Sequence, residues 1–210
     1  MTFSIIALGS LKGQVGVAVA TGSTYVADRV PHVRPGVGAV ATQGYTLVSY
    51  GPRGLDLLEA GLRPDEALKV LLEQDPGREL RQVGIMDLEG RSAVHTGSLT
   101  PEWHGHLVGP GYIIMGNLIA GPEVLKAMEE VFLEARDKGL SLGEALIRAL
   151  EAGSRAGGDL RGERSAALFV AEPDGAVLRL RVDDDPRPIE LLRAKWREWL
   201  QHDPWVFKEL

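Results

Sequence analysis

Over the first forty residues short β-rich, largely apolar runs alternate with turns, and helical spacing sets in after about residue 50. Phe3–Leu8, Val15–Thr21 and Val37–Thr42 read as short strands separated by polar and glycine turns. Pro52 suits a first helical position, and helical spacing runs to Ala60, with Gly61 placed to end it. A second helix is expected over Pro64–Glu73, broken by Asp75-Pro76-Gly77. Strand character returns in Arg81–Asp87 and Ser92–Thr96, then in His104–Val108 and Tyr112–Met115. Helices are predicted over Pro122–Asp137 and from a Ser141/Glu144 capping box to Gly153. Ser165–Val170 and Val177–Val182 form a last hairpin, and a helix from about Pro188 to Leu200 closes the pattern.

Strands and paired helices in this order do not give the strict βαβ alternation of a doubly wound parallel sheet. Val17–Ala20 and Ala166–Val170 are apolar at every position, as strands buried on both faces are. The expected fold is therefore α+β: two antiparallel sheets packed face to face between outer helices. No Pro/Gly/Ser-rich linker or internal repeat divides the chain, so a single domain over 1–210 is expected, with a C-terminal helix and tail from about 188.

Composition narrows the chemistry. The 210 residues are 44% apolar and 25% charged, enough for one large core. No basic n-region opens the chain and no apolar run approaches the ~20 residues of a membrane span, so a cytoplasmic, membrane-free protein is expected. The absence of cysteine excludes disulfides, thiolate nucleophiles and zinc–thiolate or iron–sulfur sites. A formal charge of −6 without a basic stripe argues against nucleic acid, leaving small molecules and peptides as expected ligands.

Several blocks in order resemble the domain-of-unknown-function 1028 family. They are Thr2-Phe3-Ser4-Ile5-Ile6-Ala7, Gly16-Val17-Ala18-Val19-Ala20, Gly36 to Gln43, Ser49-Tyr50-Gly51-Pro52-Arg53-Gly54, His95-Thr96-Gly97, Trp103 with Gly105-His106, Gly111-Tyr112 with Gly116-Asn117, Gly121 to Val124, Gly157-Gly158-Asp159 and Arg164 to Leu168. The resemblance covers nearly the whole chain to about Pro188. It implies an N-terminal-nucleophile (Ntn) hydrolase type of fold, a four-layer α/β/β/α sandwich, and implies no substrate.

In that hydrolase class a residue at the mature N-terminus attacks an amide while its own α-amino group serves as the base. An α-amine of pKa about 7.7–8.0 suits the task near neutrality. Thr2 takes this place if Met1 is removed; otherwise it is a β-branched residue starting a strand. Proteasome-like members add a carboxylate at the end of the second strand and a lysine soon after; here those places hold Thr21-Gly22-Ser23 and Val30-Pro31-His32-Val33-Arg34. His32 or Arg34 can supply positive charge near Thr2 with Asp28 orienting it, or all three are solvated loop charges. Thr42-Gln43-Gly44 offers backbone N–H groups for an oxyanion hole, or is only a turn.

His95, Thr96, His106, Tyr112 and Asn117 are pocket candidates from the family blocks, with structural hydrogen bonding as the alternative. Arg53 suits a substrate carboxylate or an acid across a helix start. His104 and His106 share a strand face, yet no third ligand is placed, so neither a metal nor any other cofactor is expected. Asp183-Asp184-Asp185 reads as a solvated acidic turn, and Gly157-Gly158-Asp159 as a flexible turn. Trp196, Trp199, Trp205 and Phe207 suggest packing on the domain or on another subunit, hence a homo-oligomer. Two functions stand at this point: an amidohydrolase or peptidase on a small amide, or a non-catalytic ligand-binding or assembly module that kept the fold.

Overall fold

A computed structural model describes residues 2–202; Trp205 and Phe207 lie outside them. Two antiparallel sheets and five α-helices make up these residues. The first sheet has six strands: β1 (Thr2–Leu8), β2 (Val15–Thr21), β7 (His104–Gly109), β8 (Tyr112–Asn117), β9 (Ser165–Ala171) and β10 (Val177–Val182), in the order β10-β9-β2-β1-β8-β7. The second has four, β3 (Pro31–Arg34), β4 (Gly38–Gly44), β5 (Arg81–Asp87) and β6 (Ser92–Thr96), in that order. The helices are α1 (Tyr50–Glu59), α2 (Pro64–Glu73), α3 (Pro122–Asp137), α4 (Leu142–Arg155) and α5 (Pro188–His202).

Strand alternation sorts the apolar side chains into three cores. Phe3, Ile5, Leu168 and Ile114 pack with Leu125, Leu146 and Trp196 of α3, α4 and α5. Ile6, Val17, Val19 and Met115 of the first sheet pack with Ala39, Ala41 and Met86 of the second. Val40, Val83 and Ile85 pack with Leu55 and Leu71 of α1 and α2. The fully apolar strands β2 and β9 are buried along their whole length, as their sequence predicts.

Three local expectations are corrected. Strand β3 is missed because its four residues carry Pro31 and two charged or polar side chains; it exists by pairing with β4, His32 opposite Val40 and Arg34 opposite Gly38. Ser141 stands at the start of α4 but its hydroxyl caps nothing. Glu144 instead turns to Arg148, to Arg193 and to the Trp196 indole N–H, 2.9 Å away, which docks α5 on α4. Gly153 does not end α4: it is a close-approach position where a Cβ would lie 2.8 Å from the Met128 side chain, and the helix continues to Arg155. Among the described residues no helix is long and apolar enough to cross a membrane.

Candidate functional site

The inter-sheet core is apolar along most of its length and polar at one end. On β1 the side chains of Thr2, Ser4 and Ile6 share the face turned to the second sheet, so the apolar row ends in two hydroxyls. Thr2 pairs with Thr21 of β2 on one side and Asn117 of β8 on the other. Its Oγ1 donates to Thr21 Oγ1 at 3.1 Å. Ser4 Oγ donates to Gln43 Oε1 at 2.7 Å, and Gln43 Nε2 donates to Gln82 Oε1 at 2.7 Å and to the Thr2 carbonyl at 3.4 Å.

Gln82 is the hub. Its carbonyl also accepts from Asn117 Nδ2 at 2.9 Å. Its Nε2 lies 3.0 Å from Thr96 Oγ1, 3.0 Å from the Gly116 carbonyl and 3.1 Å from the Gly105 carbonyl, so two hydrogens serve three acceptors across both sheets. Thr96 Oγ1 meets His106 Nδ1 at 2.9 Å. Burial, and then the charge of His95, hold the His106 imidazole below the usual histidine range. Ser4, Gln43, Gln82 and Asn117 are fully buried, and Thr2 is 4% exposed. Asn117 Oδ1 has no hydrogen-bond partner among the described residues, an orphan that costs about 1–3 kcal/mol unless a donor reaches it.

Of the residues singled out in the sequence, Thr2, Gln43, Thr96, His106 and Asn117 come together here. The others do not. Alternation in β3 turns Val33 to the inter-sheet core and His32 and Arg34 to the opposite face. His32 lies against Gly51 of α1, with Nε2 3.3 Å from the Arg29 carbonyl, and Arg34 pairs with Asp56 and Glu59 of α1 at 2.8 and 2.6 Å. Asp28 pairs with Arg181 at 2.6 Å. Thr42 faces the α1/α2 core with its N–H given to the Val30 carbonyl at 3.1 Å, and Gln43 and Gly44 stand opposite Gln82 and Arg81 of β5. His95 also points to that side, with Nε2 2.9 Å from the Arg78 carbonyl.

Arg53 is held by Gln74. Tyr112 belongs to the α3/α4 core, its hydroxyl donating to Glu129 at 2.6 Å; burial and this carboxylate push its pKa up to about 12. Among the described residues no group of three or more His, Asp or Glu is placed to hold a metal.

Three participants were missed. Ser4 and Gln82, like Thr21 at the end of β2, are polar residues at inward strand positions. Asp159 was read as part of a flexible turn, yet its side chain is fully buried: it accepts from the Gly22 N–H at 2.7 Å and pairs with Arg161 at 3.1 Å. It thereby pins the backbone just beyond Thr21.

His32 gives a pH signature. Burial holds its pKa below the model-peptide value of about 6.5, against the opposing pull of the Arg29 carbonyl. Below about pH 6.5 the unfolded chain binds this proton more readily than the folded one, so the stabilising contribution is complete above 6.5 and is lost as pH falls. We expect the urea midpoint to decline between pH 7.5 and 5, and less steeply in His32→Gln; equal slopes would contradict the assignment.

A family model described as a family of unknown function (DUF1028) matches residues 2–192. A Silicibacter pomeroyi protein, whose crystal structure carries the same family label, superposes with a TM-score of 0.89 at 34% identity, covering 96% of this chain and 87% of its own. The Anbu ancestral β-subunit of Yersinia bercovieri aligns over 99% of this chain and 97% of its own at 13% identity; its TM-score of 0.43 carries no argument. Among curated proteins, none matches.

Proposed function

This chain belongs to the DUF1028 family of unknown function, and we propose that it is an amidohydrolase of the Ntn type, a single four-layer α/β/β/α domain in which Thr2 becomes the reacting residue once Met1 is removed. The observation that carries the reading is the position of Thr2: the first residue of a central strand, its hydroxyl turned into the polar end of the inter-sheet space. The freed α-amine takes the Thr2 hydroxyl proton as Oγ1 attacks the substrate carbonyl. The resulting ammonium returns that proton to the leaving nitrogen as the C–N bond breaks. Water then hydrolyses the acyl–Thr2 ester. Asn117 pairs with Thr2 across the β1–β8 ladder, and its unused Oδ1 is an acceptor suited to the α-amine.

One observation favours a second reading, a non-catalytic ligand-binding module. Thr21 is uncharged where the proteasome-like chemistry uses a carboxylate, and Arg34, from the segment where it uses a lysine, pairs with Asp56 and Glu59 of α1 and does not reach Thr2. The two separate in one experiment. Protein produced with a removable leader, so that it begins at Thr2, is incubated with a panel of small amides. The hydrolase reading predicts turnover through an acylated Thr2 visible by mass, lowered at least about a thousandfold in Thr2→Ala with unchanged melting. No turnover by the Thr2-starting protein, or full turnover by Thr2→Ala, would sink it.

A further inference from the structure

The orphaned acceptor on Asn117 can be assigned to one atom, because the network around it fixes the orientation of each carboxamide. The Gly105 and Gly116 carbonyls can only accept, so Gln82 turns its Nε2 to them, at 3.1 and 3.0 Å, and presents Oε1 on the other side. Oε1 in turn can only accept, so Asn117 turns Nδ2 to it, at 2.9 Å. A flipped Asn117 would set two carbonyl oxygens face to face. Oδ1 is therefore the atom left over: fully buried, and the one buried side-chain polar atom without a hydrogen-bond partner among the described residues.

Strand register says which donor lies opposite. Leu8 N–H donates to the Gly111 carbonyl at 2.9 Å, and in an antiparallel ladder such exchanged pairs recur at every second residue: Ile6 with Ile113, Ser4 with Met115, Thr2 with Asn117. On the other side Gly9 N–H donates to the Gln14 carbonyl at 3.0 Å, which turns the odd-numbered residues of β1 to β2. The nitrogen of Thr2 thus points at Asn117. While Met1 is attached, that nitrogen carries a single hydrogen, and the ladder directs it to the Asn117 backbone carbonyl. A free α-amine carries two hydrogens and its ammonium three, so a donor for Oδ1 arises when the peptide bond before Thr2 is cut.

The backbone beyond Asn117 holds it in this register. Leu118 stands at φ 49°, a left-handed conformation that costs a non-glycine residue free energy and persists only where its surroundings enforce it. Those surroundings are two hydrogen bonds: Leu118 N–H donates to the Pro101 carbonyl at 3.0 Å, and the Leu118 carbonyl accepts from Leu160 N–H at 3.1 Å. Strand β8 is thereby stopped directly after Asn117.

We infer that Asn117 is a positioning residue that couples removal of Met1 to the fold: its Oδ1 accepts from the freed Thr2 α-amine, completing the buried network and holding the amine beside the Thr2 hydroxyl. The cut is a hydrolysis, in which water adds across the Met1–Thr2 peptide bond, methionine leaves with the new carboxylate and Thr2 keeps the amine. The inference rests on the reading of Thr2 as the residue that becomes the N-terminus, and adds its regulation: a chain that keeps Met1 lacks the base and also buries an unpaired acceptor. The test is a double-mutant cycle on stability, with protein cut from a removable leader before Met1 or before Thr2, each carrying Asn117 or Asn117→Leu. Urea unfolding is expected to show Asn117→Leu lowering the folding equilibrium constant about fivefold more in the Thr2-starting chain than in the Met1-retaining one, the size of one net hydrogen bond.

Equal losses in the two chains would overturn the inference, since an Asn117 that only packs and bonds Gln82 is indifferent to Met1. Should Asn117→Leu not fold, Asn117→Asp carries the same test: its carboxylate meets the α-ammonium in the Thr2-starting chain and stays an unpaired buried charge in the other. The stability advantage of the Thr2-starting chain is then expected to exceed that of the wild-type pair at least about tenfold, and an advantage no larger than in the wild type would overturn the inference. Coupling between Met1 and Asn117 without amide turnover by the Thr2-starting protein would remove the hydrolase reading alone. Equal losses together with wild-type turnover by Thr2-starting Asn117→Leu would remove the role of Asn117 alone.

Discussion

Gln82→Leu is expected to destabilise the fold by about 3–4 kcal/mol, because one side chain satisfies polar groups on both sheets. Its carboxamide accepts from Gln43 and Asn117 and donates toward Thr96, Gly105 and Gly116. Leucine nearly conserves the volume and removes every one of these bonds, leaving buried donors and carbonyls without partners. Each such orphan costs about 1–3 kcal/mol, with partial relief where neighbours rotate toward one another. Urea unfolding checks it. A loss below about 1 kcal/mol would mean that the polar end of the inter-sheet space reorganises freely, and the picture of a fixed floor beneath Thr2 would fail.

Gly97→Ala is expected to cost about 3 kcal/mol, at the upper end of overpacking penalties, because the obstacle is backbone. A Cβ here would stand 2.4–2.6 Å from the carbonyl oxygen, carbonyl carbon and Cα of Glu79. No rotamer change relieves such a contact. Gly97 also donates to the Arg81 carbonyl at 2.9 Å and accepts from the Thr100 hydroxyl at 2.7 Å, so the shift passes into the loop that carries Leu99. The thermal unfolding midpoint should fall accordingly. A variant with parental stability would show that the β6–β7 loop yields and that the Gly97–Glu79 contact does not fix it.

How much of this was legible beforehand depends on which interaction decides each feature. The runs in β2 and β9 are apolar at every position, and that property alone required both faces to be covered. The helix pairs between strand groups likewise pointed to two antiparallel sheets. By contrast, the four residues of β3 carry no strand signal of their own, and their pairing with β4 is tertiary. That omission explains the misplacement of His32 and Arg34: without β3 there was no alternation to send them to the α1 side.

The site followed the same division. Thr2, Gln43, Thr96, His106 and Asn117 emerged from the family blocks, and the structure gathers them. Ser4 and Gln82 were readable as polar interruptions on inward strand faces, but only once each strand's inward parity was known. Asp159 was not readable, because burial of its carboxylate depends on Gly22, far away in sequence.

The most direct test of the Thr2 mechanism is the N-terminus of the protein isolated from its own cells, by intact mass and N-terminal sequencing. The hydrolase reading predicts a chain beginning at Thr2, whose α-amine is then free to act as the base. A chain that keeps Met1 in every molecule, with residue 2 nitrogen locked in a peptide bond, would contradict it.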